Sequence, residues 1–286
     1  YVFIQILMLC GFGLKAAILP FHAWLPDAHS SAPSPISSML SGVLIKAVGI
    51  YVIIRLFFNM FIISREMAVL ITLLGALSMV AGVFLAIGQW DLKRLLAYHS
   101  ISQMGYVILS AGIGMILLAQ NGNQKVAALA STGGIFPMIN HAVFKSLLFL
   151  SAGAIEYRLG TRDLKRMGGL SGAMPATSAA SFIASMSISG IPPFNGFFSK
   201  IIIIIAAIKG KFYLLALLAV IVSIITLASF MKFQKYAFYG KPAVDNRPEV
   251  REVPAPMVIS MVVLSLLCLA LSLLALPGAR DVVLTP

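Results

Sequence analysis

The chain has 286 residues, 60% of them hydrophobic and 10% charged, and a formal net charge of +12. Soluble domains carry roughly 25% charged residues, so this composition excludes an ordinary water-soluble fold and points to an all-α integral membrane protein. In a soluble chain the basic balance would suggest nucleic acid. Here it is spread over short connections between apolar runs, where it orients spans in a bilayer, and no nucleic-acid partner is expected.

A spanning helix needs about 20 mainly apolar residues, and eight such runs are predicted. They are Val2 to Leu19, Ile36 to Phe58, Met67 to Gly88, Ile101 to Ala119, Val126 to Ile155, Ala176 to Ile208, Phe212 to Met231, and Met257 to Leu276. Charges with Pro242 and Pro248 mark the longest connection, Lys241 to Arg251, as an extramembrane loop. The chain begins at Tyr1 with no signal-peptide pattern, and a piece of a longer protein is expected. Cys10 and Cys268 each lie alone in an apolar run, which suggests free buried thiols rather than a metal site or a disulfide.

Two runs are interrupted. Pro20, Pro26, Pro33 and Pro35 punctuate the exit of the first, and Gly190, Pro192, Pro193, Asn195 and Gly196 break the sixth. Proline removes a backbone donor, and in hydrocarbon the freed groups are tolerated only beside protein or a wet cavity. The broken spans are an odd number apart and so run in opposite directions, as in an inverted repeat around a transport site. With a five-helix unit, residues 1–58 are the last two helices of an incomplete first repeat and 59–240 a complete second one. Residues 241–286 are then a loop and a final span. The three helices missing from the first unit are expected on the same polypeptide or on another chain.

Loop charges set the orientation. Lys93, Arg94, Arg158, Arg162, Lys165, Arg166, Lys232, Lys235, Lys241, Arg247 and Arg251 fall on one side, against Arg55, Arg65, Lys125, Lys209, Lys211 and Arg280 on the other. The first side is expected in the cytoplasm of a cell with an inner or plasma membrane location for the protein. Lys15, Lys46, Lys145 and Lys200 lie within apolar sequence. Each costs roughly 2.5–3.5 kcal/mol near the bilayer centre, and four cost on the order of 10 kcal/mol, against a whole-domain stability of about 5–15 kcal/mol. Folding alone would not retain them, so they point to a protein that moves charge.

The segment Leu14-Lys15-Ala16-Ala17-Ile18-Leu19-Pro20-Phe21-His22-Ala23-Trp24-Leu25-Pro26-Asp27-Ala28-His29 resembles the proton-conducting antiporter-like family. So do Gly42 to Lys46, Asp91 to Arg94 with Ala97 to Tyr106, Asn140 to Lys145, Lys165 to Leu170, and Gly190 to Lys200. That family serves respiratory complex I, Mrp-type sodium/proton antiporters and membrane-bound hydrogenases. The resemblance implies that this chain matches the seventh to fourteenth of fourteen helices, and the wording around His99 looks more like Mrp-type D and hydrogenase-type subunits than complex I. It further implies a multisubunit complex whose partners include antiporter-like paralogues. Lipid surrounds the subunits, and redox chemistry belongs to other chains. No cofactor motif and no metal site are read in this chain.

Within the resemblance, Lys15, Lys46, His141, Lys145 and Lys200 form a proton relay. Lys15 would exchange charge with a glutamate on an absent helix; the alternative is a lysine snorkelling from a helix end. Lys46 is too deep in its run to snorkel. His141 and Lys145 are four apart, on one helix face, and Pro137 invites a bend or bulge there. A buried imidazole, which titrates near neutrality, beside a buried amine suits proton hopping. Some relatives carry a further histidine where this chain has Pro137. Lys200 follows the second break and matches the family's terminal lysine or glutamate. Asp91, Lys93 and Arg94 read equally as a family signature or as a helix cap with loop charge, and His22, Asp27 and His29 resemble a metal site only weakly. The expected function is proton translocation in a larger complex, with sodium/proton exchange or a structural role without transport as alternatives.

Overall fold

A backbone in hydrocarbon must satisfy its polar groups internally, and each predicted run becomes helix. The computed structural model describes residues 1–241 and 250–273. Arg247, Pro242, Pro248, Arg280 and the end of the last predicted run lie outside the described residues. The helices are α1 (Val2–Ala16), α2 (Trp24–Ser31), α3 (Ser34–Met60), α4 (Arg65–Ile87), α5 (Leu92–Ala119), α6 (Gln124–Leu159), α7 (Pro175–Ser189), α8 (Asn195–Lys209), α9 (Tyr213–Tyr239) and α10 (Ala255–Leu273). Six of them, α3, α4, α5, α6, α9 and α10, are long and apolar enough to cross a membrane.

The remaining two predicted spans are shorter than expected. The first ends at Ala16 because Ala17 turns into the left-handed region (φ 53°) and its N–H bonds back to the Leu14 carbonyl. Trp24 Nε1 donates to that same carbonyl at 2.9 Å, so the freed acceptor is met. The sixth is two 15-residue helices, α7 and α8, separated by a turn through Gly190 (φ 77°), Pro192 and Pro193.

Three local expectations change. Pro26 does not break a helix: it sits in the first turn of α2, where a missing N–H leaves no bond unmade. The turn belongs to Pro20 instead. Pro137 lies inside α6, which stays helical over 36 residues. Finally, α5 begins at Leu92 rather than Ile101, since its charged first turn is capped by Asp91, whose Oδ1 accepts from Arg94 N at 2.9 Å.

α6 is the hub, packing against α3, α5, α7, α8 and α10. The tightest pair is α4 with α5: a Cβ on Gly82 would lie 2.6 Å from Ser102 N, and one on Gly105 2.6 Å from Met79 Cα. In α3, Leu40–Tyr51 is wound as a π-helix, a form seen mostly as single-turn bulges and often at functional sites. This stretch touches its neighbours through glycine, with a Cβ on Gly49 reaching within 2.7 Å of Ala16 N. The outward faces of α1, α3, α4, α9 and α10 carry exposed Leu, Ile, Val and Phe side chains suited to lipid or to partner helices.

One end of the bundle gathers the basic loops. The Trp90 ring lies between the ammonium groups of Lys165 (4.6 Å) and Lys232 (4.8 Å). Backbone bonds Leu92 N to Arg162 O and Leu164 N to Trp90 O tie the loop before α5 to the loop after α6. Glu252 closes this end: its carboxylate accepts from Ala176 N, Thr177 N and Thr177 Oγ1 and so caps α7.

Candidate functional site

The site is the polar interior around α6. His141 and Lys145, one turn apart on that helix, are both buried, and so are Lys46 on α3 and Lys200 on α8. No carboxylate among the described residues is buried. Lys15 is different. It sits in the last turn of α1 and is exposed, on a face that no described helix covers, so the structure does not bring it into the same interior as the other four.

Each buried lysine of the α6–α8 region is held by oxygen and by an aromatic face. Lys145 Nζ donates to the Leu96 carbonyl of α5 and lies 5.6 Å from the Phe149 ring centroid. The Lys200 ammonium donates to Ser189 O and Ser223 Oγ, both at 3.1 Å, and lies 5.3 Å from the Tyr106 ring centroid. Lys46 and Lys145 act on one another and on His141 across the interior at electrostatic range.

His141 faces a small cavity of about 10 Å³, room for roughly one water. Gln103, Tyr106, Ser199 and Lys200 line it too, so the cavity joins the α6 imidazole to the α8 lysine. Both His141 ring nitrogens and Gln103 Nε2 are buried without a protein partner. Next to His141, Asn140 Nδ2 donates to Ser199 Oγ (2.6 Å) and to Asn195 O (3.3 Å), and this pins α8 to the relay helix. The halves of the broken span thus bring Lys200 toward His141 because the chain stops, turns and restarts beside α6.

The sequence matches the family model described as NADH:quinone oxidoreductase/Mrp antiporter, TM, over residues 1–226. The chain belongs to this family. Among its relatives, hydrogenase-4 component B of Escherichia coli is 34% identical over 280 residues, 93% of this chain and 41% of that protein. The A component of the Na(+)/H(+) antiporter of Bacillus subtilis is 42% identical over 196 residues, 68% of this chain and 24% of that one. The chain therefore spans less than half the length of these curated relatives. The Mrp complex of Dietzia sp. DQ12-45-1b superposes with a TM-score of 0.85 at 29% identity, covering 97% of this chain and 57% of that one. The membrane-bound sulfane sulfur reductase, an archaeal respiratory membrane complex, gives the same TM-score at 32% identity, with 98% and 46% covered. These members of the family are of the hydrogenase and Mrp A types, where the wording around His99 points to the hydrogenase and Mrp D types.

Two buried histidines escape the sequence reading as relay candidates. His99 Nε2 meets Ser229 Oγ at 2.8 Å, its Nδ1 is unpartnered, and it lies within electrostatic range of both Lys145 and Lys200. His29 is enclosed beside α6. No group of three or more His, Cys, Asp or Glu side chains able to hold a metal occurs among the described residues. Of the weak metal-like trio, His22 is half-buried, Asp27 pairs with Arg94 at 2.5 Å, and His29 packs on Phe149. The signal that would have found His29 and His99 is their position in the quoted family segments, since each histidine alone reads as ordinary core.

Proposed function

We propose that this chain is part of a proton-translocating, antiporter-like membrane subunit of a multisubunit complex, carrying protons between Lys46, the His141–Lys145 pair and Lys200. One observation carries the reading: four basic groups share one buried interior that holds no buried carboxylate among the described residues. Burial of unpaired charge is expensive, and an array of amines and imidazoles exchanges protons without a change in side-chain position. His99 offers a second connection from Lys145 to Lys200, parallel to the His141 cavity.

Coupling in this reading is electrostatic. Displacing a charge at one lysine alters the proton affinity of the next, and each pKa unit corresponds to about 1.36 kcal/mol. A potential of 100 mV contributes about 2.3 kcal/mol per charge, so shifts of one or two units suffice to gate movement. Lys15 joins the line through a helix outside this chain, and its exposed position fits a contact made elsewhere in the assembly. Two broken spans in opposite directions support an inverted five-helix repeat, and the basic loops gathered at one end support a cytoplasmic placement of that end in an inner or plasma membrane. Redox chemistry and cofactors belong to partner subunits. Sodium favours oxygen ligands, and the lack of buried carboxylates among the described residues favours protons over sodium in this interior.

The test is proton uptake by vesicles containing the assembled complex. Lys145→Ala is expected to assemble and to lose translocation. Wild-type pumping at normal subunit content would overturn the line.

A further inference from the structure

The central line leaves one enclosed titratable side chain unused. His29 is 0% exposed, and neither ring nitrogen has a hydrogen-bond partner in the protein. Buried polar groups are nearly always bonded, and an unmet one costs roughly 1–3 kcal/mol. A phenylalanine or leucine would fill the same space without that penalty, so packing alone does not account for an imidazole here.

Its surroundings run from the interior to the surface. On the inner side its ring packs on Phe149 (4.7 Å between centroids), the same ring that Lys145 Nζ approaches at 5.6 Å. Lys145, Lys46 and Lys93 all act on the imidazole electrostatically. Its backbone is fixed, with Ser37 Oγ donating to the His29 carbonyl at 3.2 Å. On the outer side, Lys93 is only 3% exposed and pairs with Glu156 at 2.8 Å. The same ammonium donates to Ala32 O at 3.0 Å, three residues beyond His29. Glu156 is 34% exposed and lines a surface opening of about 350 Å³ together with Ser34, Pro35 and Gly153. The opening stands at the basic end of the bundle, where Arg162 also reaches Glu156 at 3.7 Å.

We propose that His29 is a proton-exchange residue on a side branch, connecting the Lys46–Lys145 part of the line with the Lys93–Glu156 pair and the basic end of the protein. The proposal rests on the proton-line reading above. In the outward direction, a lysine ammonium gives a proton to one ring nitrogen and becomes the neutral amine. The imidazolium then releases a proton from its other nitrogen toward Glu156, whose carboxylate becomes the acid before water takes the proton away. Inward movement is the reverse. No electron moves and no heavy-atom bond changes. His29 is well suited to this because its two unpartnered nitrogens can each face one side of the transfer.

The experiment uses the whole complex in vesicles and compares His29→Phe, His29→Gly and Lys145→Ala. His29→Phe keeps a ring on Phe149 and removes the titrating nitrogens. Normal subunit content with a fall in translocation of about 100-fold, the lower end of what a positioned proton-transfer group contributes, is the expected result. Added imidazole should restore translocation in His29→Gly and have no effect on Lys145→Ala. Wild-type rates in His29→Phe with Lys145→Ala inactive would overturn the branch and leave the line standing. Wild-type rates in both would overturn the line and the branch with it. If His29→Phe does not assemble, the imidazole response of His29→Gly decides: restored translocation supports the branch, and its absence at normal subunit content removes it.

Discussion

The Lys200 ammonium, on one half of the broken span, donates to the Ser189 carbonyl that ends the other half, at 3.1 Å. A cation at a helix C-terminus is favoured by the helix dipole, typically by about 0.3–1 kcal/mol. Ser223 Oγ completes the arrangement by donating to the same carbonyl at 2.9 Å. The charge state of Lys200 is thereby tied to the joint between α7 and α8.

That joint leaves no room for a methyl group. Gly190 has φ 77°, and a Cβ there would lie 2.7 Å from Lys200 Cδ. Gly190→Ala is expected to destabilise by about 1–3 kcal/mol through strain and to displace the lysine. A lowered unfolding temperature together with reduced translocation would show both effects, while an unchanged unfolding temperature would contradict the strain.

Lys46→Met is expected to be as stable as the wild type or more so, since replacing a buried charge by an apolar side chain is often neutral or stabilising by about 1–4 kcal/mol. Translocation should fall all the same. Thermal unfolding and proton uptake on the same preparation separate the two, and a variant that pumps normally would remove Lys46 from the line.

Glu252 supports α7 from far along the chain. Its carboxylate meets two of the first N–H groups of that helix, at 2.9 and 3.2 Å, and Thr177 Oγ1 at 2.6 Å. Loss of a helix cap costs about 0.5–2 kcal/mol. Glu252→Ala should lower the unfolding temperature by that measure and leave proton uptake per assembled complex unchanged.

The α4–α5 seam gives the largest predicted loss. Gly105→Val would drive side-chain carbons into the Met79 backbone, where a Cβ alone already comes within 2.6 Å of Met79 Cα. Neither helix can give way without parting, and overpacking of this kind costs about 1–3 kcal/mol or more. The expected outcome is loss of the protein from the membrane, measured by its abundance in the complex.

Most of the helical plan is legible because hydropathy and length alone decide which segments hydrocarbon accepts. The departures fall where tertiary contacts decide. Hydropathy places the start of α5 too late because Lys93 and Arg94 look unfit for a span until Glu156 and Asp27 pair with them. Pro26 looks like a breaker, since only a known helix start shows that its N–H is dispensable. The π winding around Lys46 has no composition signal. Lys46, Lys145 and Lys200 stand out as charges in apolar runs, whereas Lys15 has the same local sequence character and an exposed position. Burial of His29 and His99 depends on Phe149 and Phe230, which pack on them from distant helices, so a lone histidine gives no warning.

The glycine seam between α4 and α5 also bears on how this chain can drift. Every single-base change in a glycine codon that alters the residue adds at least a Cβ, and at Gly82 and Gly105 that atom meets backbone. No neutral first step is open to either helix alone. Variation among descendants of this sequence should therefore accumulate on the outward faces and in the loops, with these two positions inherited unchanged long after their surroundings have diverged.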